Sequence, residues 1–251
     1  MAKMLVRQDG SIAGTVGGGA AEAAVIREAL EVIAVGKPRM INYKLHENPH
    51  LDLGMVCGGT LDVFIEPIVP AAVAYLFGAG HVGLLTAQVA RLARFEVEVI
   101  DDRPEFANNE RFPGARAIHA GPWEESFAAL RPNASSFIFI ATRGHLLDSQ
   151  VLRWAVETPA SYIGMIGSKR KVVTTAERMK ADGVSEEQLR RVHAPVGLAI
   201  GANTPEEIAV AVVAEMIAHL RQAKAASALM HNMGDLAGMT SKERGTRHPD
   251  D

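Results

Sequence analysis

Residues 73–83 read VAYLFGAGHVG and residues 96–103 read EVEVIDDR. The first stretch is a short apolar run, Val73 to Phe77, that leads straight into a G-x-G-x-x-G pattern at Gly78, Gly80 and Gly83. An apolar helical stretch, Leu84 to Leu92, follows. The second stretch then supplies a strand ending in Asp101, 18 positions after Gly83. Three spaced glycines are common by chance, but strand, glycine turn, helix and acid-terminated strand together are the context a nucleotide site requires. The glycines let backbone approach a diphosphate at the positive end of a helix, and the acid takes ribose hydroxyls. The alternative is a tight strand-to-helix turn with no ligand.

Moving outward, apolar strand patterns recur at 97–101, 116–119, 136–141 and 162–166, with helical stretches between them. Strict alternation of strand and helix implies parallel strands joined by right-handed crossovers. The expectation is therefore a Rossmann-type, doubly wound α/β domain over residues 71–230. The last long helix opens at ANTPEEIA, where Thr204 is a good N-cap, Pro205 suits the first turn and Glu207 completes a capping box. Its pattern continues towards Met230, and residues 231–251 read as a flexible tail.

The front of the chain has a different texture. KMLVR and SIAGTV read as short strands around the turn signal Asp9-Gly10, and a helix follows through GGGAAEAAVIREALEVIAVG. Gly36 and Pro38 end that helix, and residues 39–45 and 61–65 are further strand candidates. HENPHLDLGMVCGG between them is a loop by composition. Pro67 and Pro70 mark a boundary, so residues 1–68 are expected to form a smaller N-terminal α/β domain.

The chain of 251 residues is 48% hydrophobic and 22% charged, with a net charge of −3. That balance offers no electrostatic footprint for nucleic acid. No uncharged apolar run is long enough to span a membrane, and no signal peptide opens the chain. A single cysteine, Cys57, allows no intrachain disulfide and suits a reducing cytoplasm.

Two further segments carry chemistry. IGMIGSKRK runs a strand into Gly167, caps a helix with Ser168 and fills the first turn with Lys169, Arg170 and Lys171. Cations at a helix N-terminus oppose its dipole, so three of them make sense around a bound anion, or else form a solvated basic turn. ATRGHLLD closes the strand at 136–141, and in the usual strand order this places Thr142, Arg143 and His145 at the crevice of the glycine loop. His145 reads as a proton carrier, a phosphate donor or a plain first-turn residue, and Asp148 as a group that caps or orients the turn. Arg103 after Asp101 is suited to a 2′-phosphate, while His81 sits where many redox domains carry a smaller residue. Cys57 lies among Gly58 and Gly59, where a thiolate suits a soft metal or sulfur, or where a buried thiol is inert.

Seven blocks in order resemble the xanthine dehydrogenase accessory factor family (XdhC/CoxI). They are MLVRQDGSIAGTVGGGAAE, MVCGGTLDVFIEP, FGAGHVG, VIDDRPEFANNERFP, TRGH, YIGMIGSKRK and APVGLAIGANTPEEIAV. The resemblance implies a chaperone role in place of turnover: binding the molybdenum cofactor (molybdopterin, in mono- or dinucleotide form), protecting it while a cysteine desulfurase route installs sulfur, and passing it to apo xanthine dehydrogenase or a related molybdenum hydroxylase. It implies that Cys57, Gly58 and Gly59 meet molybdenum or sulfur, while the glycine loop and the Lys169–Lys171 turn hold phosphates. Family members commonly have a further stretch before the segment matching MLVR, and a larger residue where this chain reads GGGAAE. Open strand edges in the first segment point to a homodimer. The competing reading is an NAD(P)-dependent oxidoreductase or nucleotide sensor, but no catalytic partner is evident for His145.

Overall fold

The fold is that of a computed structural model, which describes residues 2–44, 60–68 and 71–223. The chain separates into two compact units, Met1–Pro70 and Ala71–Asp251. In the first unit, β1 (Met4–Val6) and β2 (Ile12–Gly14) pair antiparallel across the Asp9-Gly10 turn. Helix α1 (Gly19–Val35) stops where Gly36 turns left-handed and donates its amide to Val32. Strands β3 (Arg39–Lys44) and β4 (Thr60–Ile65) form a second antiparallel pair.

The second unit is built from β5 (Val73–Phe77), α2 (His81–Leu92), β6 (Glu96–Asp101), β7 (Ala117–Ala120), α3 (Trp123–Ala129), β8 (Ser136–Ile140), α4 (His145–Val156), β9 (Tyr162–Met165), α5 (Lys169–Ala181), α6 (Glu186–Arg190), β10 (Val192–His193) and α7 (Pro205–Leu220). All six strands are parallel, in the order β10-β9-β8-β5-β6-β7. This is the Rossmann order, with the switch point between β5 and β8.

Strand alternation divides the core into two. Val73, Tyr75, Phe77, Ile138, Ile140, Ile163 and Met165 face one side and pack with Leu152 of α4 and Ala176 of α5. Ala74, Leu76, Val97, Val99, Phe137 and Phe139 face the other, against Ala87 of α2 and Val212 and Met216 of α7. Strands buried on both faces explain why the sequence shows continuous apolar runs there.

The start of β9 is tied to α7 by a buried polar knot. Glu215 is fully buried and accepts the Tyr162 hydroxyl at 2.7 Å and the Gly197 amide at 3.0 Å. His193 Nδ1 lies 3.1 Å from the same carboxylate without hydrogen-bond alignment. Burial and the Glu215 charge push the Tyr162 phenol well up, while burial and the neighbouring His193 push His219 down.

The structure departs from the sequence expectations at the edges. α7 ends at Leu220, well short of Met230, because Gln222 turns left-handed at φ 50°. The Gln222 amide bonds to His219 and the Ala223 amide to Ala218, closing a Schellman motif. That stop is normally signalled by glycine, and a glutamine hides it. The two-residue edge strand β10 and the short α6 have too few residues to show a period. The expected tail, residues 231–251, and the loop carrying Cys57 lie outside the described residues. Among the described residues no helix is long and apolar enough to cross a membrane.

Candidate functional site

The carboxyl ends of β5, β6, β8 and β9 bring the chemistry-bearing segments together. At the first of these, the three glycines have three different reasons. Gly78 has φ +116°, and a Cβ there would collide with the Ala141 carbonyl of the neighbouring strand end. A Cβ on Gly83 would strike the Gly78 carbonyl, so this glycine lets α2 pack directly on β5. Gly80 is the N-cap of α2, and a Cβ there meets nothing within 4 Å. The open space above Gly80 is where a ligand's anionic group can meet α2's first-turn amides, beside the exposed His81.

Asp101 braces this loop. It is 2% exposed, and its carboxylate accepts the Ala79 amide at 2.8 Å, the Arg103 amide at 3.0 Å and a two-pronged Arg103 guanidinium at 2.9 and 3.0 Å. Burial alone would raise this carboxyl, but the Arg103 side chain and the two amides more than offset it and hold its pKa below the ordinary value. Its four acceptor positions are filled, so a ribose hydroxyl would have to displace one of these donors. Arg111 completes the brace by donating to the Ala79 carbonyl at 3.0 Å, and both guanidiniums lie over the Phe106 ring.

Past β8 the backbone is organised by Asp148, which is fully buried in α4. Its Oδ1 accepts the Thr142 amide at 3.1 Å and hydroxyl at 2.7 Å. Its Oδ2 accepts the Lys171 ammonium at 2.5 Å, and the same ammonium donates to the Ile166 carbonyl. This ion pair ties the first turn of α4 to the first turn of α5. Arg143 reaches across to Asp102 at 2.6 Å, joining the end of β8 to the end of β6 over the glycine strand.

Beyond that tie, α4 and α5 frame a cleft of about 390 Å³ lined by His145, Ser149, Ser168, Arg170, Lys171, Thr174, Thr175 and Arg178. Ser168 caps α5 through the Lys171 amide. Lys169 and Arg170 are exposed at the helix start. Among the described residues no carboxylate lines the cleft. Chemically, the strand ends offer helix amides, an open glycine and guanidiniums, which is an arrangement for anions.

Comparison with known proteins agrees with this fold. The family model described as the XdhC Rossmann domain matches residues 74–216. The model of the XdhC and CoxI family matches residues 2–44. The chain belongs to the XdhC family. YqeB of Escherichia coli (strain K12) is 40% identical over 217 residues, covering 86% of this XdhC chain and 40% of that protein. A Bacillus subtilis (strain 168) protein, named as a probable xanthine dehydrogenase component, is 32% identical, covering 67% and 47%. PaoD of E. coli, named a molybdenum cofactor insertion chaperone, is 28% identical, covering 86% and 76%. The XdhC chain thus spans less than half the length of the first two relatives. A crystal structure from Bacillus halodurans, described as a xanthine dehydrogenase, superposes with a TM-score of 0.55 at 22% identity, covering 89% of this chain and 87% of that one, a likeness of fold.

Within this XdhC chain the residues read from sequence are sorted in a way that spacing did not show. Gly78, Gly80, His81, Gly83, Asp101 and Arg103 gather at the glycine loop, but Asp101 and Arg103 neutralise each other there. Thr142 turns its hydroxyl into Asp148, and Arg143 is spent on Asp102. His145 lines the α4–α5 cleft. Ser168, Lys169 and Arg170 remain at the start of α5, while Lys171 is committed to Asp148 and is a tie more than a free phosphate ligand. Cys57, Gly58 and Gly59 lie outside the described residues. Arg178, Thr175 and Arg111 were missed. Arg178 carries a legible signal, since Arg170, Thr174 and Arg178 repeat every fourth residue and so share one helix face, with Thr175 beside them. Arg111 has none, because its partner is 32 positions away.

Proposed function

We propose that this XdhC protein binds the molybdenum cofactor and acts as an accessory factor that protects it during sulfuration and delivers it to apo xanthine dehydrogenase or a related molybdenum hydroxylase. The observation that carries the reading is the collection of unspent anion donors at the strand ends: the open Gly80 corner of α2 on one side of β8, and the carboxylate-free α4–α5 cleft on the other. Strands β5 and β9 are two sheet spacings apart, and α2 covers one face of the sheet while α4 and α5 cover the other, so the two places are separate anion sites. A phosphate-bearing pterin ligand carries the kind of group that either place takes. The name of the relative PaoD, a cofactor insertion chaperone, supports the same role.

In this reading the protein's own residues bind and orient; none transfers a proton. Lys171 and Asp148 hold the two helix starts in register, Asp101 and Arg111 hold the glycine loop, and Cys57 with Gly58 and Gly59 meets molybdenum or its sulfur. A homodimer and a cysteine desulfurase are the assembly and sulfur source that go with it, and the cytoplasm the place.

Binding of isolated molybdenum cofactor, NAD and NADP, each titrated separately and followed by pterin fluorescence or calorimetry, tests the proposal. Saturable cofactor binding, and reconstitution of an apo-hydroxylase from the loaded protein, are expected. Tight nicotinamide binding with hydride transfer, and none for the pterin, would overturn it.

A further inference from the structure

We infer that the cleft between α4 and α5 is a built site for a phosphate monoester dianion, held by Arg170, Thr175 and Arg178 along α5. The inference deepens the functional reading above by naming the chemistry of the ligand's phosphate end, and it rests on that reading only for the identity of the whole ligand.

Arg170, Thr174 and Arg178 stand at successive i, i+4 positions on α5, and all three line the cleft. Thr174 turns its hydroxyl back to the Arg170 carbonyl at 3.1 Å, so it is satisfied within the helix. The two guanidiniums are not: neither has an ion-pair partner among the described residues. Many other arginines in this unit are consumed by carboxylates or carbonyls, as with Arg103, Arg111, Arg143 and Arg191. Two guanidiniums left unpaired on one face, with no carboxylate among the described residues lining the cleft, make it net positive, while on its far side Arg178 also borders a second cleft that holds Glu124 and Asp182. Asp148 lies behind, and its charge is matched by Lys171.

Thr175 is the independent observation. It lines the same cleft, is only 6% exposed, and its hydroxyl has no hydrogen-bond partner among the described residues. The hydroxyl is open to the cleft and not sealed in the core, so its partner is whatever fills the cleft, water or a ligand oxygen.

The donor set selects the ligand class. A phosphate monoester carries close to two negative charges at neutral pH and presents three terminal oxygens. Two guanidiniums and a hydroxyl complement that charge and that oxygen count. A diester, as in a dinucleotide, carries one charge and two free oxygens, and would leave one cation unmatched. The cleft therefore takes the end of a phosphorylated ligand, while a diphosphate linkage belongs at the Gly80 corner.

The test uses inorganic phosphate as the probe, titrated into the full chain at pH 7.5 and constant ionic strength by phosphorus NMR, with AMP and NAD as competitors. One saturable phosphate site is expected. R170A and R178A, both at exposed positions, should each weaken it about tenfold, the effect of losing one charge-assisted contact. The near-isosteric Thr175→Val should weaken it severalfold, and Arg116→Ala, whose guanidinium pairs with Glu96 at the β6–β7 side of the sheet, should leave it unchanged. AMP, a monoester, should compete, and NAD, which has only a diphosphate diester, should not. Absence of saturable binding, or binding indifferent to both arginine changes, reduces the stripe to a solvated basic face. Equal competition by NAD overturns the monoester preference. Because no pterin is present, a negative result here leaves the cofactor titration above to stand or fall by itself.

Discussion

Replacing Lys171 by methionine separates two roles that the sequence cannot tell apart. If the ammonium serves a ligand, its loss weakens phosphate binding and leaves the fold intact. The structure gives it to Asp148, whose carboxylate is fully buried and whose Oδ2 has no other donor among the described residues. Removing one partner of such a pair leaves an uncompensated charge, which costs about 3–5 kcal/mol. Lys171 is 17% exposed, so water can reach the gap and the lower end applies. Methionine keeps the volume and helix propensity, and losing a cation from the first turn returns a few tenths of a kcal/mol. The net is about 3 kcal/mol. A domain of this size loses about 2–4 °C of melting temperature per kcal/mol, so a fall of about 6–12 °C is expected. Phosphate affinity should change less than about threefold in the Asp148→Asn/Lys171→Met double variant, where both charges go together. The double variant Asp148→Asn/Lys171→Met should recover about 1–3 kcal/mol of the sum of the single losses, the usual coupling for residues in contact. Thermal melts and urea unfolding read the stability, and phosphorus NMR reads the ligand. A K171M protein that melts within about 2 °C of the parent, but binds phosphate tenfold more weakly, would refute the assignment of this lysine as a tie.

Two further outcomes follow from the same geometry. Gly80→Ser should fold with unchanged or slightly higher stability, since the backbone there is extended, the space is open and serine is a good N-cap, yet it should impair phosphate-bearing ligands at the α2 corner. Gly83→Ala should lose at least about 2 kcal/mol from the collision with the Gly78 carbonyl, and equal tolerance of both changes in melts and titrations would contradict the roles assigned. Asp101→Asn should cost about 2–3 kcal/mol at neutral pH, because an amide presents one donor face to Ala79 or Arg103. The Asp101 carboxyl titrates below its unfolded value, so its contribution is complete above about pH 4 and is lost as the pH falls through its folded pKa. The stability gap between parent and D101N should therefore be flat from pH 7 to 5 and close in stronger acid; a gap that widened in acid would show the carboxyl to be raised.

The amino-acid sequence by itself determined the framework. Five of the parallel strands, the glycine corner and the Thr204 capping box are properties of contiguous residues, written as apolar runs, turn letters and cap spacing. Parallel pairing and the β5–β8 switch point follow from alternation of strand and helix. Only the tertiary structure decided which polar side chains are free to meet a ligand. Asp101 looked like a ribose acceptor until Arg103 was seen wrapped around it, and Lys171 like a phosphate ligand until Asp148, 23 positions earlier, was seen to take it. Arg178 and Thr175 looked like ordinary helix positions until no partner reached them. Periodicity records which face of a helix or strand is dry, because that depends on neighbours along the chain. The partner of a buried charge depends on neighbours in space, and the cost of leaving it unpaired is settled only when the elements pack.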